Sequence, residues 1–526
     1  MAIVAPELAS APPSAPWGTL LSDLIRQRSV SLGSAAYVSH ARQDRGLSFR
    51  DLERAVDRWA VRLEGAGVPT GATVALVIGD PLDFSVAYLG TIASGRWAAP
   101  LDPATPRRGA GGLGTAIARV QPGIVIADTP DPGGLDVDWA YLGDESSFER
   151  DTVTEPGATV PVKGASGGVI LASSGTTGAP KVIPLHQHQL LWAARNVARH
   201  HELTPEDRGF NPLPLFHVNA EVVGLLASLV AGSSLVLDDR FHRKEFWRCM
   251  ADHRITWINA VPAIVSRLAE PRAGEVIPPG IRFIRSASAP LPAATAARFE
   301  ATTGIGVLET YGMTEAASQI TANPLRGRRE KGSVGLPVGV DLRIVADGRP
   351  SAGPMVGVTG HVEIRGPSVI TAYGGHHHQE RFDRDGWLRT GDLGHLDADG
   401  YLYLDARADD VINRGGEKVF PREIEEVVAE DDEVAAVAVV GTPDPELGQV
   451  PVAYLVVRGV QDASDLEVAR AALARIRTRL DGRLVRGKRP VTLNVVPSLP
   501  TGATGKVRRH DLGAGTGPVL YHLDCR

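Results

Sequence analysis

Residues Val169–Lys181 read VILASSGTTGAPK, and this stretch decides how the rest of the chain is to be read. An apolar, strand-like run breaks into Ser173, Ser174, Gly175, Thr176, Thr177 and Gly178, and Lys181 follows. Small residues let backbone approach a polyphosphate, hydroxyls and amides donate to its oxygens, and the lysine adds positive charge. The glycine-to-lysine spacing differs from GxxxxGK[ST], and Val182 rather than Ser or Thr follows the lysine, so this is not the common P-loop. Taken alone, the stretch also reads as an ordinary solvated loop.

Upstream, helix-like and strand-like stretches alternate from Trp17 to about Ser166. Leu47–Leu63 places apolar residues at helical spacing behind Ser48, a good N-cap. Val74–Ile78 and Ile124–Ala127 read as short buried strands. This alternation predicts parallel α/β layers. The block Gly109–Gly114 (GAGGLG) matches the dinucleotide pattern GxGxxG, but PATPRR rather than a strand precedes it, so it reads as a flexible glycine loop. The sharpest shift in composition falls at 405–416 (DARADDVINRGG), after which REIEEVVAE reads as a helix and VAAVAVVG and PVAYLVV as strands. The expected organisation is a flexible tail at 1–16, a large α/β domain at 17–408 and a small mobile α+β domain at 409–526.

With 526 residues, two or more lobes are expected. A composition of 43% apolar and 22% charged residues suits packed cores and argues against wholesale disorder. The net charge of −6 gives no basis for a nucleic-acid partner. Two distant cysteines, Cys249 and Cys525, build neither a disulfide framework nor a thiolate metal cluster, which fits a reducing, cytoplasmic compartment. The N-terminal residues lack a basic segment followed by a long apolar one. The most apolar stretch, Val222–Leu237, is too short and too glycine-broken to span a bilayer, so no membrane partner is expected.

Four further segments carry chemistry. Thr310–Glu315 (TYGMTE) offers an aromatic face, a hydroxyl and a carboxylate, read as one turn. Trp387–Asp392 (WLRTGD) puts a carboxylate after a glycine, where it can accept from a diol. Arg407–Pro421 (RADDVINRGGEKVFP) contains an arginine and a glycine pair, and Thr501–Lys506 reads TGATGK. In this order and at these distances, the set resembles the AMP-forming acyl-adenylating superfamily of acyl-CoA synthetases, carrier-loading adenylation domains and luciferases. The resemblance runs from about residue 20 to 510.

The resemblance implies roles residue by residue. Ser173, Ser174, Gly175, Thr176, Thr177, Gly178 and Lys181 would form the phosphate-binding loop, with Val182 where glycine is common. Ala287, Ser288 and Ala289 would line the adenine and acyl pocket. Tyr311 would stack on adenine, Thr314 would touch the α-phosphate and acyl group, and Glu315 would hold magnesium. Asp392 and Arg407 would bind the ribose hydroxyls, and His217 would flank the acyl pocket. Lys506 would bridge carboxylate and phosphate during adenylation, offsetting the repulsion between two anions. Asp409 would be the domain hinge, and Gly415 and Gly416 would line a pantetheine tunnel after rotation. Ala406 stands where the family's hinge motif has glycine. The triplet His376–His378 suggests metal at first sight, but three adjacent side chains cannot all face one ion, so it reads as a solvated loop.

PLFH, TYGMTEAASQITANPL, GSVGLPVG and INRGGEKVFP look most like the oxalate–CoA ligase branch and its bacterial relatives. That branch tends to carry histidine where this chain has Asn219 and Ser318. Asn219, Glu221 and Asn259 add polarity near the expected pocket, favouring a short, polar or amino-bearing aryl acid over a fatty acid. The implied activity is ATP-dependent formation of an acyl-AMP with release of PPi, then transfer to CoA. ATP, Mg2+ and CoA are the implied cofactors. Three alternatives stay open: loading of a carrier protein in trans, ATP- and nitrite-dependent diazotisation of an aromatic amine, and plain nucleotide binding.

Overall fold

The computed structural model describes residues 20–106, 112–130, 137–143, 167–173, 181–270, 272, 274–346, 349–350, 356–375, 378–462, 465–502, 506–513 and 518–525. The expected tail at 1–16, the loop residues Ser174–Gly178, Gly109–Gly111, and His376 and His377 lie outside them.

Local signals set the first elements. The Ser48 hydroxyl accepts from the Asp51 backbone N–H, and the Asp51 carboxylate accepts from the Ser48 N–H. This capping box starts the helix Phe49–Gly65, which buries Phe49, Leu52, Val56, Trp59 and Leu63 at helical spacing. Asp80 caps the next helix, Pro81–Ala93, with proline at its first position. The glycine block departs from expectation. Gly112 is the N-cap of the helix Leu113–Val120, Gly114 lies inside that helix, and the strand Trp97–Pro100 precedes it.

Among the described residues, four sheets organise the fold. In a nine-stranded sheet, Gly306–Met313, Phe283–Ser286, Trp257–Ala260, Arg208–Asn211, Ser234–Leu237 and Ala36–His40 run parallel, with antiparallel strands at each end. Their near-continuous apolar sequences follow from burial on both faces. The stretch 222–237 supplies a π-helical segment, Asn219–Leu226, then the helix Ala227–Ala231 and the strand Ser234–Leu237. A six-stranded sheet carries Gly168–Ser173 beside Trp97–Pro100 and Lys181–His186. Ser173 and Lys181 pair across its edge, so the sheet fixes the two residues that flank the SGTTG segment. A five-stranded antiparallel sheet brings Asp392 opposite Arg407.

The C-terminal lobe is a six-stranded sheet backed by the helices Pro421–Ala429 and Leu466–Arg483. Its apolar core starts at Ile412 and is distinct from the large core that ends at Leu402. The architecture is a large multi-layer α/β domain followed by a small α+β one.

Candidate active site

The TYGMTE segment divides between two elements rather than forming one turn. Tyr311 belongs to the strand Gly306–Met313, while Thr314 and Glu315 open a 3-10 turn, Thr314–Ala316. The chain then doubles back so closely that a Cβ on Gly312 would lie 1.5 Å from the Ser318 carbonyl oxygen, which only glycine tolerates. Ser318 itself sits at φ 91°, a strained position for a residue with a side chain.

Two side chains from two other segments hydrogen-bond to Asp392. The Tyr311 hydroxyl donates to its Oδ2 at 2.5 Å, and Arg407 NH1 donates to its Oδ1 at 3.0 Å. Asp392 is 7% exposed, and its own N–H donates to Thr390 Oγ1. Burial, reinforced by the Asp392 charge, holds the Tyr311 phenol far above its ordinary range, so it stays a donor. Burial alone would lower the Arg407 pKa, but Asp392 and Tyr311 outweigh it and raise the value. Lys506 faces the same charges. The residue is exposed, yet enough protein surrounds its ammonium for desolvation to lower its pKa, aided by Arg407 and opposed by Asp392 and Asp410.

A second cluster forms around Glu315, 6% exposed. The Tyr373 hydroxyl donates to its Oε1 at 2.9 Å, Arg381 NH1 donates to the same hydroxyl at 3.2 Å, and Arg381 lies 3.8 Å from the carboxylate. The Lys181 ammonium stands 5.7 Å over the Tyr373 ring, its pKa lowered by burial and by Arg381. Lys181, Glu315, Tyr373 and Arg381 thus form one polar patch where the chain re-enters the sheet at Lys181. Sequence reasoning missed Tyr373 and Arg381. The Tyr373–Gly374–Gly375 run ahead of the histidine triplet was their only signal.

Beyond the C-terminal ends of the parallel strands, Ala287 is buried, Ser288 is exposed at φ 75°, and Ala289 is half-buried. His217 is half-buried beside Phe216, with its Nε2 enclosed and unpartnered. Burial pulls its pKa down to about 4, so it is neutral at pH 7. Asn211, Asn259 and Arg285 occupy neighbouring register positions on three adjacent parallel strands. Asn219 descends onto this row from the π-helical segment. Its Oδ1 accepts from Arg285 NH1 at 2.8 Å and from Asn259 Nδ2 at 3.4 Å, and its own amide donates to Ser288 Oγ at 3.4 Å. Glu221 is not part of this group. It is fully buried against Tyr88, whose hydroxyl donates to it at 3.3 Å, and burial raises its pKa well above the carboxylate range. Among the described residues, the metal-competent cluster is Asp238, Asp239 and His242, which includes none of the expected site residues.

Asp409 is exposed in the 3-10 turn Ala408–Asp410 between the two cores. Gly415 and Gly416, at φ 59° and 94°, close the two-residue hairpin between Ile412–Arg414 and Glu417–Val419. Two positive φ angles in succession are the signature of a type I′ turn. The Gly415 N–H donates to the Leu447 carbonyl at 2.7 Å. Arg509 pairs with Glu425 at 2.6 Å and Asp410 at 3.4 Å. Arg422, 9% exposed on the C-terminal lobe, donates across the lobes to the carbonyls of Leu404 (2.8 Å) and Gly332 (3.2 Å).

Residues 26–374 match the AMP-binding enzyme family, and residues 423–506 match the AMP-binding enzyme C-terminal domain. The chain belongs to this family and is an AMP-forming acid–thiol ligase of the acyl-CoA synthetase type. Sulfoacetate–CoA ligase of Cupriavidus necator is 36% identical over 93% of this chain and 96% of its own length. Oxalate–CoA ligase of Arabidopsis thaliana is 31% identical over 92% and 94%. The o-succinylbenzoate–CoA synthetase of Bacillus subtilis, solved with its acyl-adenylate, is 26% identical over 93% and 97%, with a TM-score of 0.78. A double mutant of that enzyme bound to a CoA product analogue gives 0.64.

Proposed function

We propose that the chain activates a small carboxylic acid with ATP as acyl-AMP, releasing PPi, and then passes the acyl group to CoA. The observation that carries this reading is the pair of hydrogen bonds from Tyr311 and Arg407 to Asp392, a carboxylate suited to a ribose diol, with the C-terminal cation Lys506 near enough to feel the charges of Asp392 and Arg407. In this reading Asp392 and Arg407 take the ribose hydroxyls, and Tyr311 presents its ring to adenine. Ser173–Gly178 and Lys181 grip the departing pyrophosphate, and Ala287–Ala289, Thr314 and His217 border the acyl group.

Lys506 touches both reacting anions. A cation that meets charge as it develops, in a site withdrawn from water, lowers the barrier more than it tightens ground-state binding. The domain orientation seen here suits that step, and the better match to the acyl-adenylate complex than to the product-analogue complex supports the same assignment. For the thiol step, Asp409 is the pivot between a domain at 17–408 and one at 409–526, and the Gly415–Gly416 tip lines the path of the pantetheine.

Magnesium fits Glu315. Its Oε1 is already oriented by Tyr373, and a single carboxylate completed by phosphate oxygens is the usual way this ion is held. The ion would neutralise phosphate charge; Arg381 and Lys181 add fixed positive charge beside it. Carboxylate-dependent ATP–PPi exchange with Lys506→Ala tests the reading. Exchange is expected to fall by about 10²–10³ while ATP binding persists. Exchange within a few-fold of wild type would remove Lys506 from the chemistry.

A further inference from the structure

The Asn211–Asn259–Arg285 row contains a charge that no described residue balances. Arg285 is 1% exposed at the C-terminal end of its strand. NH1 donates only to neutral oxygens, Asn219 Oδ1 at 2.8 Å and Asn259 Oδ1 at 3.2 Å, and Nε is enclosed without a partner. Among the described residues no carboxylate lies within 4.0 Å of the guanidinium, and Glu221 is turned away to Tyr88. Desolvation lowers the Arg285 pKa to about 9, so the group is still cationic at neutral pH. A buried, unpaired charge is strongly destabilising, so arginines in such places are normally matched by an anion.

The place is not arbitrary. Ligands of open parallel sheets bind outside the carboxyl ends of the strands. Asn219 connects the row to Ser288, which is exposed on the segment we assign to the acyl pocket. Arg285 therefore lies one side chain beneath that pocket, held by two amide carbonyls that an anion can displace. Charge-assisted bonds from a guanidinium to an oxyanion are about twice as strong as the neutral ones they replace.

We propose that Arg285 is the counter-ion for a second negative group on the substrate, so that the acid this chain activates is a short dianion. One carboxylate goes to ATP, and the far end, a carboxylate or sulfonate, is received by Arg285 with Asn219 and Asn259 completing its hydrogen bonds. An amino-bearing aryl acid, which the polar pocket also suggested, would put its amine against this cation. The inference rests on the acyl-pocket reading above, and that Cupriavidus necator and Arabidopsis thaliana relatives are named for sulfoacetate and oxalate agrees with it.

The test compares pairs matched in length, malonate with propionate and succinate with butyrate, with sulfoacetate as the sulfonate arm. PPi release with CoA and thermal shift are both measured on the full-length chain. Wild type is expected to prefer a dianion by 10²-fold or more in kcat/KM, because a site built around a polar partner rejects analogues that lack it. Arg285→Met should bring the dianion-to-monoanion ratio near one, and Arg285→Lys should keep part of the preference. Asn219→Asp is the second variant. It places a carboxylate where an oxygen already accepts from NH1, so melting temperature should rise while dianion use collapses. Equal use of monoanions by wild type, or an unchanged ratio in Arg285→Met, would overturn the proposal. If no acid of either kind releases PPi, the ligase reading fails. The thermal shift then still decides the anion site, which stands if a dianion stabilises wild type and not Arg285→Met, and falls if both respond alike.

Discussion

Arg422 offers a direct measure of what holds the two lobes in their present orientation. Its helix, Pro421–Ala429, belongs to the C-terminal core, yet its guanidinium donates to Leu404 O at 2.8 Å and Gly332 O at 3.2 Å on the large domain. It also faces Glu309, whose pKa burial raises to about 7 and Arg422 holds down. Hydrogen bonds from charged donors contribute about 1.5–3 kcal/mol each, net of water. At the lower end, two of them give ~3 kcal/mol in favour of this orientation. Since 1.4 kcal/mol is a factor of ten, Arg422→Ala should change the ratio of the two orientations by about 10². The assay is a ratio of rates: ATP–PPi exchange divided by transfer from preformed acyl-adenylate to CoA. That ratio should fall by about 10², whichever orientation dominates at rest, with little change in melting temperature. If both half-reactions fall together, or the ratio moves less than threefold, the latch has no bearing on domain position.

Three other outcomes are expected. Glu315→Gln should raise the magnesium concentration at half-saturation, since a neutral amide is the weaker ligand for a hard cation; an unchanged magnesium titration removes Glu315 from the metal site. Asp409→Pro fixes φ near −65°, so PPi exchange should stay near wild type while transfer to CoA collapses; equal loss of both would indicate misfolding instead. Burial lowers the pKa of His200 and His217 to about 4, below an unfolded value of about 6.5. The folded chain therefore binds fewer protons, its stability is full above about pH 6.5, and it is lost as pH falls toward 4, by up to about 3 kcal/mol per histidine. Denaturant midpoints that are flat from pH 6.5 to 4.5 would contradict this.

Signals confined to a few adjacent residues were legible in the sequence. The Ser48 N-cap, the buried strands and the end of a strand at Ser173 are all written within one or two turns of chain. Residues whose role depends on register between distant strands were not. Arg285 looks like any arginine in RFIRSAS until Asn259 and Asn211 line up beside it, and Arg422 sits in a plain amphipathic helix. The Arg509–Glu425 pair is equally silent in the sequence, because its members lie 84 residues apart. Glu221 shows the converse error. It is two residues from Asn219, but the wider π-helical turn points it toward Tyr88.

The Gly415–Gly416 hairpin is complete within the small domain. Its strands pair with each other, its tip bonds to Leu447, and Asn413 Oδ1 accepts from the Gly416 N–H. A tip that needs no help from the large domain travels as a finished part. Under the proposed thiol step, such a tip would need no ordering of loose chain at the moment of use, and changes in its sequence would leave the Tyr311–Asp392–Arg407 cluster on the other lobe untouched.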